Sequence, residues 1–197
     1  MAVKSTTANT AIDVCNRALI LVGASPMTSF EDGTNEATVA VNLYEDTCRA
    51  TLVNTRWRFA TDQRILNRLT DAPTGRWDAA YQIPAESLFV HAVTVNDSPI
   101  EFDIFGSYVY CDATTNDEVI ADYNFRQTEV NFPSYFIQAL VYELSGQFAL
   151  SIARDENLSQ MMFNNARFFL QKARTLDSQQ QTTRKLIVNR FITNRRS

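Results

Sequence analysis

The feature that most constrains this 197-residue sequence is that the spacing of its apolar residues changes twice. Apolar side chains recur at helical intervals over residues 8–55, alternate with polar ones in much of residues 57–128, and return to helical spacing over 133–178. The first spacing is typical of amphipathic helices and the second of half-buried strands. The sequence therefore predicts an α+β protein in which a β-rich part is inserted between two helical pairs.

The first helical pair is predicted from two apolar stripes and the signals that bound them. Gly23 and Pro26 end the first helix, since glycine accepts a left-handed conformation and proline prevents the helix from resuming. Thr34 or Asn35 can cap the second helix, which is expected to run to about residue 55. The first stripe consists of Ala11, Ile12, Cys15, Ala18, Leu19 and Val22. The second consists of Val39, Leu43, Asp46 or Thr47, Ala50 and Val53.

The middle of the chain is predicted to be a small antiparallel meander. Phe89, His91, Val93 and Val95 alternate with other residues and are expected to share one face of a strand. Turn residues at 96–99 and 105–107 separate this strand from two more, and residues 118–127 read as a further strand.

The second helical pair follows Pro133, which suits a first helical position. A short joint at Arg154 and Asp155 separates its two helices. The first stripe is Phe136, Ile137, Leu140, Leu144, Phe148 and Ile152, and the second is Leu158, Met161, Met162, Ala166, Phe169, Leu170, Ala173 and Leu176. The predicted fold class is an antiparallel helical bundle of two N-terminal and two C-terminal helices with an inserted small antiparallel β lobe. One domain is expected over residues 1–183, with an extended C-terminal tail over 184–197.

No constellation in the sequence indicates catalysis. The connection "GASPM" lacks the second glycine of a nucleophile elbow and the G-K-[ST] of a phosphate-binding loop, so Ser25 is not expected to be a nucleophile. His91 lies within a predicted strand without an obvious partner, and the acidic pairs Glu31–Asp32 and Asp117–Glu118 lie in turns. We therefore predict a protein that is not an enzyme and has no catalytic residues.

Cysteine and carboxylate spacing does not indicate a metal or cofactor site. Cys15, Cys48 and Cys111 are widely spaced, and we expect them to be buried free thiols in a reducing compartment. Glu31, Asp32 and Asn35 do not have the spacing of an EF-hand loop. No metal and no cofactor are expected.

Charge is distributed unevenly along the chain, whose net charge is −4. The five cations after Asp177 are Arg184, Lys185, Arg190, Arg195 and Arg196. Without them the chain has 13 basic and 22 acidic residues, a net charge of −9. Such a surface does not suit a general nucleic-acid coat. The start "MAVKSTTANTAIDV" and the short apolar run "ALILV" predict neither a secretory signal nor a membrane span.

The tail is the best candidate for a binding segment. It mixes the five cations with Leu186, Ile187, Val188, Phe191 and Ile192. Left exposed, this segment would promote aggregation. We expect it to dock on a partner; packing on its own subunit and contact with nucleic acid or membrane are the alternatives.

Residues 11–60 contain a more specific pattern, "AIDVCNRALILVGASPMTSFEDGTNEATVAVNLYEDTCRATLVNTRWRFA". An N-x-A-L-x-x-x-G in the first helix precedes a P-x-x-S-x-x-D loop, and a helix with Ala, Val, Tyr and Arg then closes on W-x-F-A. This pattern resembles the tail tubular protein A family, the head–tail adaptors (connectors) of short-tailed phages. The order of the later elements agrees with that family, although the middle is too variable to match residue by residue.

The resemblance implies a structural virion protein located in the tail or neck, and in the host cytoplasm during assembly. It implies a homo-oligomeric, dodecameric ring between the portal protein and the tail nozzle protein, with DNA passing through the lumen without specific binding. In that setting the tail residues 184–188, 190–192, 195 and 196 are expected to bind portal. The alternative is a non-enzymatic binding module or assembly chaperone whose basic tail holds an acidic partner or nucleic acid. A small hydrolase is the weakest reading, since no constellation supports it.

Overall fold

The computed structural model describes residues 8–70, 73 and 75–180, and within them the chain is α+β with four α-helices and two antiparallel sheets. The helices are α1 (Ala11–Leu21), α2 (Asn35–Val53), α3 (Ser134–Phe148) and α4 (Glu156–Ser178). A π-helical turn, Ala149–Ala153, extends α3 toward α4. The order of helices and strands is the predicted one.

The strands form two four-stranded sheets rather than the single meander that the sequence predicted. In chain order they are β1 (Thr61–Ile65), β2 (Asn67–Arg68), β3 (Ala79–Gln82), β4 (Ser87–Val95), β5 (Ser98–Pro99), β6 (Phe102–Phe105), β7 (Tyr108–Cys111) and β8 (Val119–Phe125). One sheet has the order β1-β8-β4-β5 and the other β2-β3-β7-β6. Thr61 of β1 lies opposite Asn124 of β8, so the β region begins and ends on neighbouring strands. Pairing between the two ends of this region cannot be read from alternation, which is a local signal.

The helices share one apolar core in which α3 contacts α1, α2 and α4. The predicted stripe of α3 is confirmed, because Phe136, Leu140, Leu144 and Phe148 are fully buried. Trp57 is also fully buried, and its indole packs edge-on against Phe136 at a centroid distance of 5.3 Å.

The stretch Ser134–Ala153 is long and apolar enough, by length and composition, to cross a bilayer. However, 56% of its apolar 18-residue segment is buried inside the protein. The core helix of a soluble protein can have the same length and apolar composition.

The predicted stripe of α2 is wrong in detail. Ala50 is exposed, and Val39 and Leu43 are only half-buried. The buried side of α2 is displaced by about one residue from the predicted stripe. It consists of Ala37, Ala40, Tyr44, Thr47, Cys48, Thr51 and Leu52. Small side chains let α2 lie close to its neighbours, and a periodicity read from the larger aliphatic residues misses them.

The predicted face of β4 is correct at Val93 and Val95, which lie on the core side, and wrong at Phe89. Phe89 is 52% exposed, whereas Val90 and Val93 are buried. The register between β4 and β8 shifts between Ser87 and Phe89 and again between Val90 and Ala92. Because each bulge inserts an extra residue, it moves the following side chains to the opposite face.

Helix boundaries follow local capping chemistry. The Thr10 hydroxyl accepts a hydrogen bond from the Asp13 amide while the Asp13 carboxylate accepts one from the Thr10 amide, which forms a capping box. The Thr34 hydroxyl accepts a hydrogen bond from the Ala37 amide at 3.2 Å. Pro133 occupies the N-cap of α3, one residue before the predicted position.

Candidate functional site

The connection between α1 and α2, residues 23–35, is held by the side chain of Asn16. Its amide nitrogen donates to the Met27 carbonyl and its amide oxygen accepts from the Met27 N–H, both at 2.8 Å. Met27 is buried, so these bonds satisfy backbone groups that water cannot reach. Asn16 therefore fixes the middle of the connection against the helix that precedes it.

The second half of the connection is organised by Asp32. Its carboxylate accepts hydrogen bonds from the N–H groups of Ser29 and Thr28, at 3.0 and 2.7 Å, and from the Thr28 hydroxyl. These hydrogen bonds hold the pKa of the Asp32 carboxyl below its usual value, and the bond from the Ser29 N–H has the largest effect. Gly23 and Gly33 adopt left-handed conformations, with φ of 75° and 69°. Ser25 is exposed on this loop. The bonds of Asp32 and the two left-handed glycines give the segment a defined conformation between the two helices.

His91, the one histidine of the chain, belongs to a structural network. Its Nε2 lies 2.9 Å from Oδ1 of Asn124, which is fully buried. The Asn124 amide donates to the carbonyls of Leu52 and Thr55 at 2.7 and 2.9 Å. The network ties the end of α2 to β8, and sequence spacing gave no sign of this partner because Asn124 is 33 residues away.

Arg126 makes a second junction between the helices and the strands. Its guanidinium donates to Glu45 of α2 at 3.0 Å and to Glu129 at 2.5 Å, and the Tyr44 hydroxyl donates to Glu129 at 2.9 Å. Burial acts to raise the pKa of each carboxyl, but hydrogen bonds led by Arg126 outweigh it and lower both. Burial likewise opposes the charge of Arg126, yet the carboxylates raise its pKa above the usual value. Burial raises the pKa of Tyr44. Paired charges of this kind fasten α2 to the segment after β8.

The three cysteines are buried free thiols, as predicted. Burial raises the pKa of Cys15 and Cys48 to about 12 and that of Cys111 to about 11. A thiol with such a pKa is protonated at neutral pH and is a poor nucleophile.

An open cleft of about 1030 Å³ lies over the β1-β8-β4-β5 sheet. Arg56 forms an ion pair there with Asp122, and the Gln63 amide donates to the same carboxylate at 2.6 Å. Arg56, Gln63 and Asp122 thus bond to one another within the cleft. Within the described residues, no three His, Cys, Asp or Glu side chains are grouped so that they could hold a metal ion.

Exposed apolar side chains of α1 and α4, the two helices that flank α3, form a set that we call the α1–α4 face. Tyr142 of α3 stacks on Phe169 of α4, with ring centroids 4.7 Å apart and planes 7° apart. Tyr142 also lines a groove of about 500 Å³ between α1 and α3. The face consists of Ile20, Leu21, Tyr142, Met161, Phe168 and Leu176.

The predicted portal-binding segment, 184–197, lies outside the described residues. The described chain stops just after α4, where the Asp177 carboxylate accepts hydrogen bonds from the Arg58 N–H at 3.0 Å and the Tyr135 hydroxyl at 2.8 Å. Asp177 is 3% exposed, so the last turn of α4 is fixed to the beginning of α3.

Comparisons with models of known protein families and with curated proteins find no match for this chain. Its function is therefore inferred from its own residues and their geometry.

Proposed function

We propose that the chain is a non-enzymatic head–tail adaptor of a short-tailed phage, forming a ring between the portal protein and the tail nozzle. In this proposal the four helices make an antiparallel bundle and the two sheets an inserted β lobe. The ring surrounds the DNA exit channel, and its location is the neck of the virion, reached after assembly in the host cytoplasm.

The observation that carries the proposal is the role of the residues behind the resemblance. Asn16 of the N-x-A-L-x-x-x-G pattern holds Met27, and Gly23 of the same pattern takes the left-handed conformation that ends α1. Asp32 of the P-x-x-S-x-x-D pattern closes the loop on Ser29. The motif therefore specifies one particular connection between two helices, as expected for a family defined by architecture rather than by a catalytic group.

The charge of the chain suits a channel through which DNA must slide. Excluding the five cations after Asp177, acidic residues outnumber basic ones by 22 to 13. A surface of this sign repels phosphate groups, so DNA can pass without being gripped.

In the proposed assembly the tail is the portal-binding element. Its apolar residues supply anchors that are buried on docking, and its cations meet acidic groups at the edge of the contact. Leu186, Ile187, Val188, Phe191 and Ile192 are the anchors; Arg184, Lys185, Arg190, Arg195 and Arg196 are the cations.

Co-expression with the portal protein of the same genome tests this function. Negative-stain images should show a ring of this chain beneath the portal, and deletion of residues 184–197 should abolish that ring while leaving thermal stability nearly unchanged. A truncated chain that joined portal normally would place the docking site elsewhere on the body. A chain that ignored portal and instead bound nucleic acid or an acidic partner through its tail would indicate the binding module or chaperone.

Two tail variants separate the anchors from the cations. Charge reversal at Arg190 and Arg195 should slow association with portal and weaken the salt dependence of the association rate. Charges at the edge of an interface act mainly on the rate at which the partners meet. Phe191→Ala should instead speed dissociation, because a buried aromatic anchor determines how long the complex persists.

A further inference from the structure

The α1–α4 face exposes an apolar area comparable to the largest apolar patch of a typical monomer, and such patches are often functional. Ile20 is 62% exposed, Phe168 61% and Met161 50%, while Leu21 and Leu176 are each 39% exposed. With side-chain areas of up to about 200 Å², these fractions correspond to roughly 500 Å² of apolar surface. One side of a standard protein interface buries about 800 Å², of which somewhat over half is apolar. The face thus has the area that one half of a stable interface needs.

The face lies on the side of the helical unit opposite to α2. Ser134, Gln138 and Tyr142 of α3 line the groove toward α1. Ala139, Glu143 and Gln147 of α3 instead border a smaller cavity that is also lined by α2 and by the buried side of α4. At 100° per residue these two sets occupy opposite sides of α3. A contact between the face of one subunit and the α2 side of the next joins opposite sides of a subunit, which is the head-to-tail geometry that closes rings.

The two sides also carry opposite charge. Lys172 lies between Phe168 and Leu176 on α4, four residues from each, and Arg17 lines the groove beside α1. On the opposite side, α2 and the loop before it carry the acidic residues Glu31, Glu36 and Asp46. The apolar area is therefore bordered by cations on one side of the subunit, and matching carboxylates lie on the other.

From area, position and charge together we propose that the α1–α4 face binds the α2 side of a second copy of this chain. This inference rests on the proposed function, because it names the surfaces through which adjacent subunits of the ring meet. Phe168 and Ile20 are the central anchors of the contact, and Lys172 lies near Asp46 of the adjacent subunit. The contact is heterologous: neither surface meets its own equivalent.

Cross-linking between two single-cysteine additions tests the pairing directly. Lys172→Cys and Asp46→Cys, made in separate full-length chains, are mixed and treated with a short bismaleimide. The native cysteines are buried, so the parent chain serves as the unreactive control. We expect a covalent dimer in the mixture and none in either variant alone. A dimer from Lys172→Cys alone would overturn the heterologous arrangement, and a mixture without any dimer would overturn the pairing itself.

Anchor variants test whether the apolar face causes the contact. In the cross-linking background, Phe168→Glu and Ile20→Glu should each lower the dimer yield roughly tenfold, since central aromatic and aliphatic anchors dominate interfaces. Phe89→Glu on β4 is the matched control, because Phe89 is 52% exposed and lies on the sheet. Equal loss in the control would refute the assignment of this face.

Portal binding, measured in parallel, keeps this inference separate from the proposed function. A chain that joins portal but yields no cross-link through this face refutes the inference and leaves the adaptor function standing. A chain that cross-links as expected but ignores portal supports the interface and refutes the adaptor function.

Discussion

Replacing Asn16 by alanine is the most direct test of how the motif in residues 11–60 acts. The substitution removes the donor to the Met27 carbonyl and the acceptor of the Met27 N–H, each of which makes a bond of 2.8 Å. Both backbone groups belong to a residue that is only 4% exposed, so they lose their partners without gaining full access to water.

The cost can be worked out from these two bonds. A typical net contribution is about 1 kcal/mol per hydrogen bond, and a buried group left unsatisfied costs about 1–3 kcal/mol. Allowing for partial rehydration of the loop, Asn16→Ala should lower the free energy of unfolding by about 2–3 kcal/mol. For a domain of this size that corresponds to a fall in Tm of roughly 4–12 °C.

Urea unfolding followed by tryptophan fluorescence measures this change, because Trp57 is fully buried in the helical core. Asn42→Ala is the control: Asn42 is exposed, and its amide bonds only to the Thr38 carbonyl of its own helix. The control should lie within about 0.5 kcal/mol of the parent, as surface substitutions usually do. If Asn16→Ala matched that control, the motif would not act by fixing this connection.

Three further changes test other parts of the structure. Leu140→Asp places a charge at a fully buried position of α3 and should cost several kcal/mol; a variant that melted like the parent would refute the shared helical core. Gly146→Ala places a Cβ 2.7 Å from ring carbons of Phe163, so it should destabilise by about 1–2 kcal/mol in thermal melts, and Phe163→Leu in the same chain should restore much of the loss. The carboxyl pKa values of Glu45 and Glu129 lie below 4.5 in the folded state, so the stability that they contribute is complete above pH 4.5 and is lost as pH falls through the folded values. Glu129→Gln should therefore flatten the acid limb of a stability–pH curve, and an unchanged limb would show that the ion pairs with the neighbouring arginine contribute little.

The elements predicted best are those determined by local chemistry. Thr34 or Asn35 was expected to cap α2, and Thr34 does so; Gly23 ends α1 in the left-handed conformation that glycine adopts without strain. The stripe of α3 was correct because its large apolar residues at helical spacing are buried together. The stripe predicted for α4 was wrong at Met161 and Leu176, which are 50% and 39% exposed because α4 lies at the edge of the helical core. Capping, turn formation and strong periodicity depend on residues within a few positions of each other, so the sequence contains them completely.

The candidate sites were predicted less completely. His91 lies in a strand as predicted, but its partner Asn124 was not foreseen. The α1–α4 face also escaped notice, because Phe168 reads like any exposed residue of an amphipathic helix until α1 and α3 are placed beside it. The tail lies outside the described residues, and its role as a docking segment stays a prediction.

The sequence by itself determined the order of the elements, the caps that bound the helices, and the loop that Asn16 and Asp32 close. Tertiary structure alone decided that β1 pairs with β8, that bulges turn Phe89 outward, and that Arg126 meets Glu45 across 81 residues. The physical reason is the range of the forces concerned. Caps and periodicity act between near neighbours in the chain, whereas strand partners, packed faces and ion pairs depend on which distant segments the folded core brings together.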